Sequence, residues 1–194
     1  MAVELEPATT RLGEIVRGVP DALLAAPTPS DIPVGALLDH IRNFAAAFTS
    51  AARKDRDGPV GPPSPDPSNL GPDWRESIPR ALDGLADAWS DPDAWTGMTK
   101  IGGMDMPGEA AGVVALDEVV LHGWDLARAT GQPYEVDADL LEPLLGFVTH
   151  MAEPGMVEAR RGLYGPVVAV PDDAPLLDQV VGLAGRDPNW SPPR

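Results

Sequence analysis

Cysteine is absent from this chain. That removes any disulfide frame, any thiolate nucleophile and any thiolate metal ligand of its own. A metal site here has to be built from histidine and carboxylate groups. The absence also fits a reducing compartment, and the expected location is the cytoplasm. Basic residues are scarce: 14 Lys and Arg stand against 30 Asp and Glu, giving a net charge of −16. So acidic a chain is not expected to bind nucleic acid or an anionic membrane surface. No apolar run approaches the roughly 18 residues of a membrane span. The first residues, Met1 to Pro7, carry no basic stretch, so no signal peptide is expected. Gly102-Gly103 marks a turn, but no Lys-Ser/Thr pair follows, so it is not a phosphate loop. No internal repeat and no interdomain linker is found. With 194 residues, of which 43% are hydrophobic, the chain is long enough for one sizeable core. A single domain over 1–194 is expected, with a helical body over about 7–152 and an extension over about 153–194.

The feature around which the rest is organised is the segment from Asp117 to Leu126. On a helix, Glu118 and His122 stand one turn apart on the same face, and Asp125 joins that stripe three residues later. The remainder of the stripe is Ala111, Val114, Ala115 and Ala129. The other faces carry Val113, Leu116, Val119, Val120, Trp124 and Leu126. A helix apolar nearly all round belongs in a core. Three ionisable groups inside it are costly unless paired or metal-bound. Taken alone, an i, i+4 Glu–His pair is commonly only a hydrogen-bonded or solvated pair. Its spacing also suits a metal bridged by one carboxylate oxygen and one imidazole nitrogen.

The rest of the chain reads as further helices separated by Pro- and Gly-rich loops, with 23 Pro and 20 Gly in all. A first helix is expected over about Pro7 to Leu24, interrupted at Pro20. A second runs over about Pro33 to Arg53, with Val34, Leu37, Leu38, Ile41, Phe44, Ala45 and Phe48 at helical spacing. His40 sits at the edge of that stripe. A lone histidine there is more often a satisfied core residue, yet this one faces the same core as the Glu118/His122 pair. Lys54 to Asp73 is a Pro-rich loop, extended or lid-like. A third helix covers about Asp73 to Ser90, and its Trp74 and Trp89 are expected in the core. Asp91 to Pro107 reads as loop, with Met98 and Met106 as core gap-fillers rather than pocket lining. The central helix spans about Pro107 to Gly131, with Gly131 closing it. A fifth helix covers about Asp137 to Ala152. His150 at its end suits the helix dipole. Val167 to Val170 can pair as a short strand, and a last helix ends near Ala184. Trp190 is expected to pin the tail.

Several of these segments carry a resemblance. Ala26-Pro27-Thr28-Pro29 followed by Leu37-Leu38-Asp39-His40 is one. Trp95-Thr96-Gly97-Met98 with Gly102-Gly103 is another. The most specific is Glu118-Val119-Val120-Leu121-His122-Gly123-Trp124-Asp125-Leu126-Ala127-Arg128-Ala129-Thr130-Gly131, and Gly185-Arg186-Asp187-Pro188 with Trp190 completes the set. The chain resembles the DinB-like metal-binding proteins, in the branch named for the metal-binding domain of mycothiol-dependent maleylpyruvate isomerase. The resemblance implies an all-α fold, a DinB-like four-helix bundle with an extra C-terminal helix. It implies a divalent metal held by His40, Glu118 and His122. Two histidines and one carboxylate leave a position for water or a substrate atom. In the family that position is thought to hold a thiol such as mycothiol. Two departures stand out. The family loop usually reads Pro-Thr-Pro-Cys-x-x-Trp, whereas this chain has Pro27-Thr28-Pro29-Ser30-Asp31-Ile32-Pro33. The chain is also expected to be too short for the isomerase's full second domain, which contributes a catalytic arginine there.

The expected function is therefore a metal-dependent, mycothiol-type thiol S-transferase or isomerase-like enzyme. Zinc is the expected metal, with nickel or another divalent ion as alternatives. Its partners are a small-molecule substrate and a low-molecular-weight thiol, and analogy with related bundles allows a homodimer. Asp125 is expected to orient a ligand histidine. Asp125 and Arg128 are the candidates for contacting a cofactor. A small-molecule hydrolase using water, or a non-catalytic protein braced by its metal, fits the same ligand set.

Overall fold

The structure, a computed structural model, describes residues 2–55 and 64–193. It divides into two compact units, Met1–Tyr134 and Glu135–Arg194. The described residues are mostly helical, with one small two-stranded sheet among them.

In the first unit, α1 (Glu6–Arg17) opens with proline in its first turn and buries Leu12, Ile15 and Val16. It stops at Gly18, before Pro20, whose backbone is extended and lacks an amide hydrogen. What the periodicity extends to Leu24 is instead a short 3-10 turn, Asp21–Leu23. Helix α2 (Val34–Ala52) starts just after Pro33 and buries every apolar position of its stripe from Val34 to Phe48. Each fully buried Leu or Ile there contributes roughly 2 kcal/mol of transfer free energy. Helix α3 (Trp74–Trp89) carries Pro79 inside it; Pro79 lies against α1 at Gly13, where a Cβ would touch its ring at 3.4 Å. Helix α4 (Gly108–Thr130) is buried along most of its length and ends at Gly131, whose φ of 69° only glycine adopts easily. Helix α1 packs on α3 and α4, and so does α2.

Two tryptophans close one end of this unit. Trp89 Nε1 donates to the Phe48 carbonyl (3.1 Å) and Trp95 Nε1 to the Trp89 carbonyl (2.8 Å). Their rings meet edge to face at 5.1 Å. Trp74 and Trp89 are core residues, as their spacing indicates.

The loop expected over Asp91 to Pro107 holds a 3-10 turn, Pro92–Trp95, and then a hairpin. Strand β1 (Met98–Ile101) pairs antiparallel with β2 (Met104–Pro107) around Gly102-Gly103. Thr99 fixes it to α2 by donating to the Ala51 carbonyl at 2.6 Å. Met98 is 58% exposed, so it is not the core filler its type suggests, and Met106 is half-buried. Alternation along the strand turns Met98 outward, whereas Met106, paired with the buried Thr99, stands on the inner face.

The Pro-rich segment 54–73 lies in part outside the described residues. Its later portion forms a 3-10 turn, Pro67–Asn69, held on α2. The buried Asp39 carboxylate accepts from the Asp66 amide (3.1 Å), the Asn69 side chain (3.1 Å) and Arg42 (2.6 Å).

The second unit contains α5 (Ala138–Met151), a single turn α6 (Val157–Arg160) and α7 (Leu176–Leu183). Helices α5 and α7 pack on each other, with Leu144, Val148, Val180 and Val181 buried. Val167 to Val170 is not a strand. Its Val168 amide bonds to the Gly182 carbonyl at the end of a helix, which offers no strand edge to pair with. Among the described residues, no helix is long and apolar enough to cross a membrane.

Candidate metal centre

Helices α2 and α4 pack together, and three polar side chains face each other between them. His40 comes from α2, between the fully buried Leu37 and Ile41. Glu118 and His122 come from successive turns of α4. His40 Nε2 lies 3.1 Å from Glu118 Oε2, and His122 Nε2 lies 3.2 Å from the same oxygen. The imidazoles meet edge to face, with centroids 4.7 Å apart. One ligand atom from each of the three residues falls within 4.8 Å of the others.

This spacing can be compared with a coordination shell. Two ligands at about 2.1 Å from a tetrahedral ion sit about 3.4 Å apart. The two observed nitrogen–oxygen distances, 3.1 and 3.2 Å, are close to that value. The donor set therefore fits a divalent cation after small outward movements of the side chains. The side chains of His40, Glu118 and His122 remain 21%, 23% and 13% exposed, so a small molecule can reach them.

Without a metal, the charges are balanced by protons. Burial would raise the Glu118 carboxyl, but hydrogen bonds from His122 and His40, and their charge, outweigh it and hold the group well below the usual carboxylate range. Burial would lower the His122 imidazolium, but its bonds to Asp125 and Glu118 lift it to about 9. At neutral pH the centre thus holds an imidazolium between two carboxylates. A divalent ion would take over that positive charge and release the proton.

Asp125 is fully buried, and its Oδ2 lies 3.0 Å from His122 Nδ1. This contact commits Nδ1 to the carboxylate and turns Nε2 toward Glu118 and His40. Asp125 is thus brought to the centre through His122. Arg128 is six residues beyond His122, about 240° further round α4. It places its guanidinium over the Trp124 ring at 5.7 Å. His150 lies exposed at the end of α5, 3.5 Å from Glu153.

Phe44 is a part of the centre that its sequence position conceals. Its ring stands edge-on to His40 (5.6 Å) and near-parallel to His122 (6.2 Å, 24°). By spacing it reads only as another core position of α2. Its place four residues after His40 is the signal that puts it on the same face. Gly123, beside His122, has a packing reason: a Cβ there would overlap the phenol of Tyr134.

A family model described as the mycothiol maleylpyruvate isomerase N-terminal domain matches residues 5–127. Two solved structures are similar in fold. A crystal structure of the mycothiol-dependent maleylpyruvate isomerase superposes with a TM-score of 0.60 at 16% identity, covering 96% of this chain and 78% of that one. A histidine-to-alanine variant of the same enzyme superposes with a TM-score of 0.59 at 18% identity, covering 74% of this chain and 66% of that one. At these identities the likeness is one of fold. No curated protein gives a significant match.

Proposed function

The chain belongs to the mycothiol maleylpyruvate isomerase N-terminal domain family, and from that premise we propose that it is a metal-dependent enzyme that activates a small-molecule thiol of the mycothiol type. The reaction class we propose is S-transfer or a thiol-assisted isomerisation. The helices α1 to α4 are read in the same proposal as a DinB-like four-helix bundle around the metal. The observation that carries it is the single carboxylate oxygen of Glu118 set between the Nε2 atoms of His40 and His122.

A divalent ion held by these three groups, zinc by preference, would supply a Lewis-acid position at which a thiol ionises near neutral pH. The chain's own residues do the remaining work. His40 and His122 present nitrogen from two helices. Glu118 contributes the one negative ligand, so that a thiolate is not opposed by a second carboxylate in direct contact. Asp125 holds the His122 ring in orientation. Phe44 packs against both imidazoles and keeps water from their inner side.

The test uses cobalt(II) as a spectroscopic substitute for zinc. Addition of mycothiol, or of a simpler thiol as a probe, is expected to add a sulfur-to-cobalt charge-transfer band and to change the visible spectrum. A cobalt-loaded protein whose spectrum no thiol perturbs contradicts the thiol reading. Hydrolysis with metal-bound water then becomes the better account.

A further inference from the structure

The back of α4 carries a contact that neither the ligand set nor the resemblance accounts for. The Tyr134 hydroxyl donates to the Val120 carbonyl at 3.1 Å. Val120 lies between Glu118 and His122 in the sequence, so this bond lands in the one turn that carries both groups. Gly123 admits the ring: any Cβ at that position would overlap the Tyr134 phenol. At about 100° per residue, Gly123 and Val120 lie about 120° and 180° round the axis from the midpoint of Glu118 and His122. The ring therefore bears on α4 from the side opposite the centre.

Tyr134 is itself braced. Arg11 donates from α1 to the Pro133 carbonyl at 2.7 Å. Gln132 reaches the Ile15 carbonyl of α1 at 3.0 Å, and its own amide bonds back to the Ala127 carbonyl of α4 at 3.0 Å. The chain leaving α4 thus folds back along that helix, pinned to α1, and places a rigid ring behind the ligand turn. A helix turn resists compression, so a wedge on one side sets how far the other side projects toward α2.

We propose that Tyr134 is a positioning residue that sets, from the rear of α4, how closely Glu118 and His122 approach His40. The inference uses the metal reading of this centre only for its second readout. The first readout is the imidazole nitrogen and carbon-bound proton signals of His40 and His122 by NMR in metal-free protein. The second is the affinity and visible spectrum of bound cobalt(II).

In Tyr134→Ala, both imidazoles are expected to shift. Cobalt is expected to bind about tenfold more weakly, as when a supporting partner of a ligand is lost, and with an altered spectrum. Tyr134→Phe keeps the ring and loses only the hydroxyl; a smaller shift in the same direction is expected. It decides the matter should Tyr134→Ala fail to fold. Ile78→Val, a core change on α3, is the control for stability alone, and is expected to leave the imidazole signals in place. Wild-type imidazole signals in both Tyr134 variants overturn the proposal, as do wild-type cobalt affinity and spectrum. If wild-type protein binds no cobalt while the imidazoles still move in the variants, the positioning role stands and the metal reading falls.

Discussion

Asp125 is the residue whose chemistry is easiest to isolate. It is fully buried and makes a 3.0 Å contact to His122 Nδ1. Asp125→Ala frees the imidazole to rotate, and we expect metal affinity to fall by about 10–100-fold. Competition against a chelator of known affinity measures this directly. Asp125→Asn keeps an acceptor oxygen and is expected to retain part of the affinity. A second expectation concerns pH. In metal-free protein His122 is raised to about 9, above its ordinary value near 6.5. A group so raised stabilises the folded state fully below its unfolded pKa and loses that contribution as pH rises through about 9. Glu118 is displaced downward, so its contribution is present above its ordinary value of 4.5 and is lost as pH falls through its lowered folded value. Metal binding would expel the His122 proton. Metal-free protein is therefore expected to lose stability from about pH 6.5 towards 9, while apparent zinc affinity rises across the same interval. Denaturant midpoints with zinc and with chelator, taken along that range, would separate by a growing amount. A constant separation would contradict the assignment of the proton to His122.

Among the elements, α2 holds two adjacent polar sites, the buried Asp39 and the half-buried His40. His40 faces α4, while Asp39 faces the 3-10 turn Pro67–Asn69. Asp39 satisfies an amide, a side-chain amide and a guanidinium at once. Asp39→Ala leaves those donors without their acceptor and is expected to cost about 2 kcal/mol, since Arg42 can turn to solvent. Urea unfolding measures it, and a change below about 0.5 kcal/mol would show the turn to be marginal. The five long helices among the described residues were legible because their apolar positions recur at helical spacing, and a proline marks the start of α1, α2 and α4. Glu118 and His122 were legible for the same reason, since four residues make one turn. The pairing of His40 with them was not contained in spacing; it depends on how α2 crosses α4, and it came from the family resemblance. The hairpin Met98–Pro107 was hidden because Lys100, Asp105 and Pro107 are poor strand formers, and its pairing is set by the turn at Gly102-Gly103 and the Thr99 anchor. Val167 to Val170 has strand-forming residues but meets a helix end, so propensity was overridden by surroundings.

At the scale of the whole molecule, a chain of net charge −16 keeps a small polar cluster between its helices. A bound divalent ion would couple that cluster to global stability. At a free-metal concentration about a thousandfold above the dissociation constant, the gain is about 4 kcal/mol. Chelation is therefore expected to lower the melting temperature of wild-type protein and to leave that of His40→Ala unchanged. The most direct test of the central claim is elemental analysis by plasma mass spectrometry of purified wild-type protein beside His40→Ala and Glu118→Ala. The account predicts a near-stoichiometric divalent metal in the wild type that is lost from both variants. No metal in the wild type, even after reconstitution, would contradict it and leave His40, Glu118 and His122 as a half-buried hydrogen-bonded cluster.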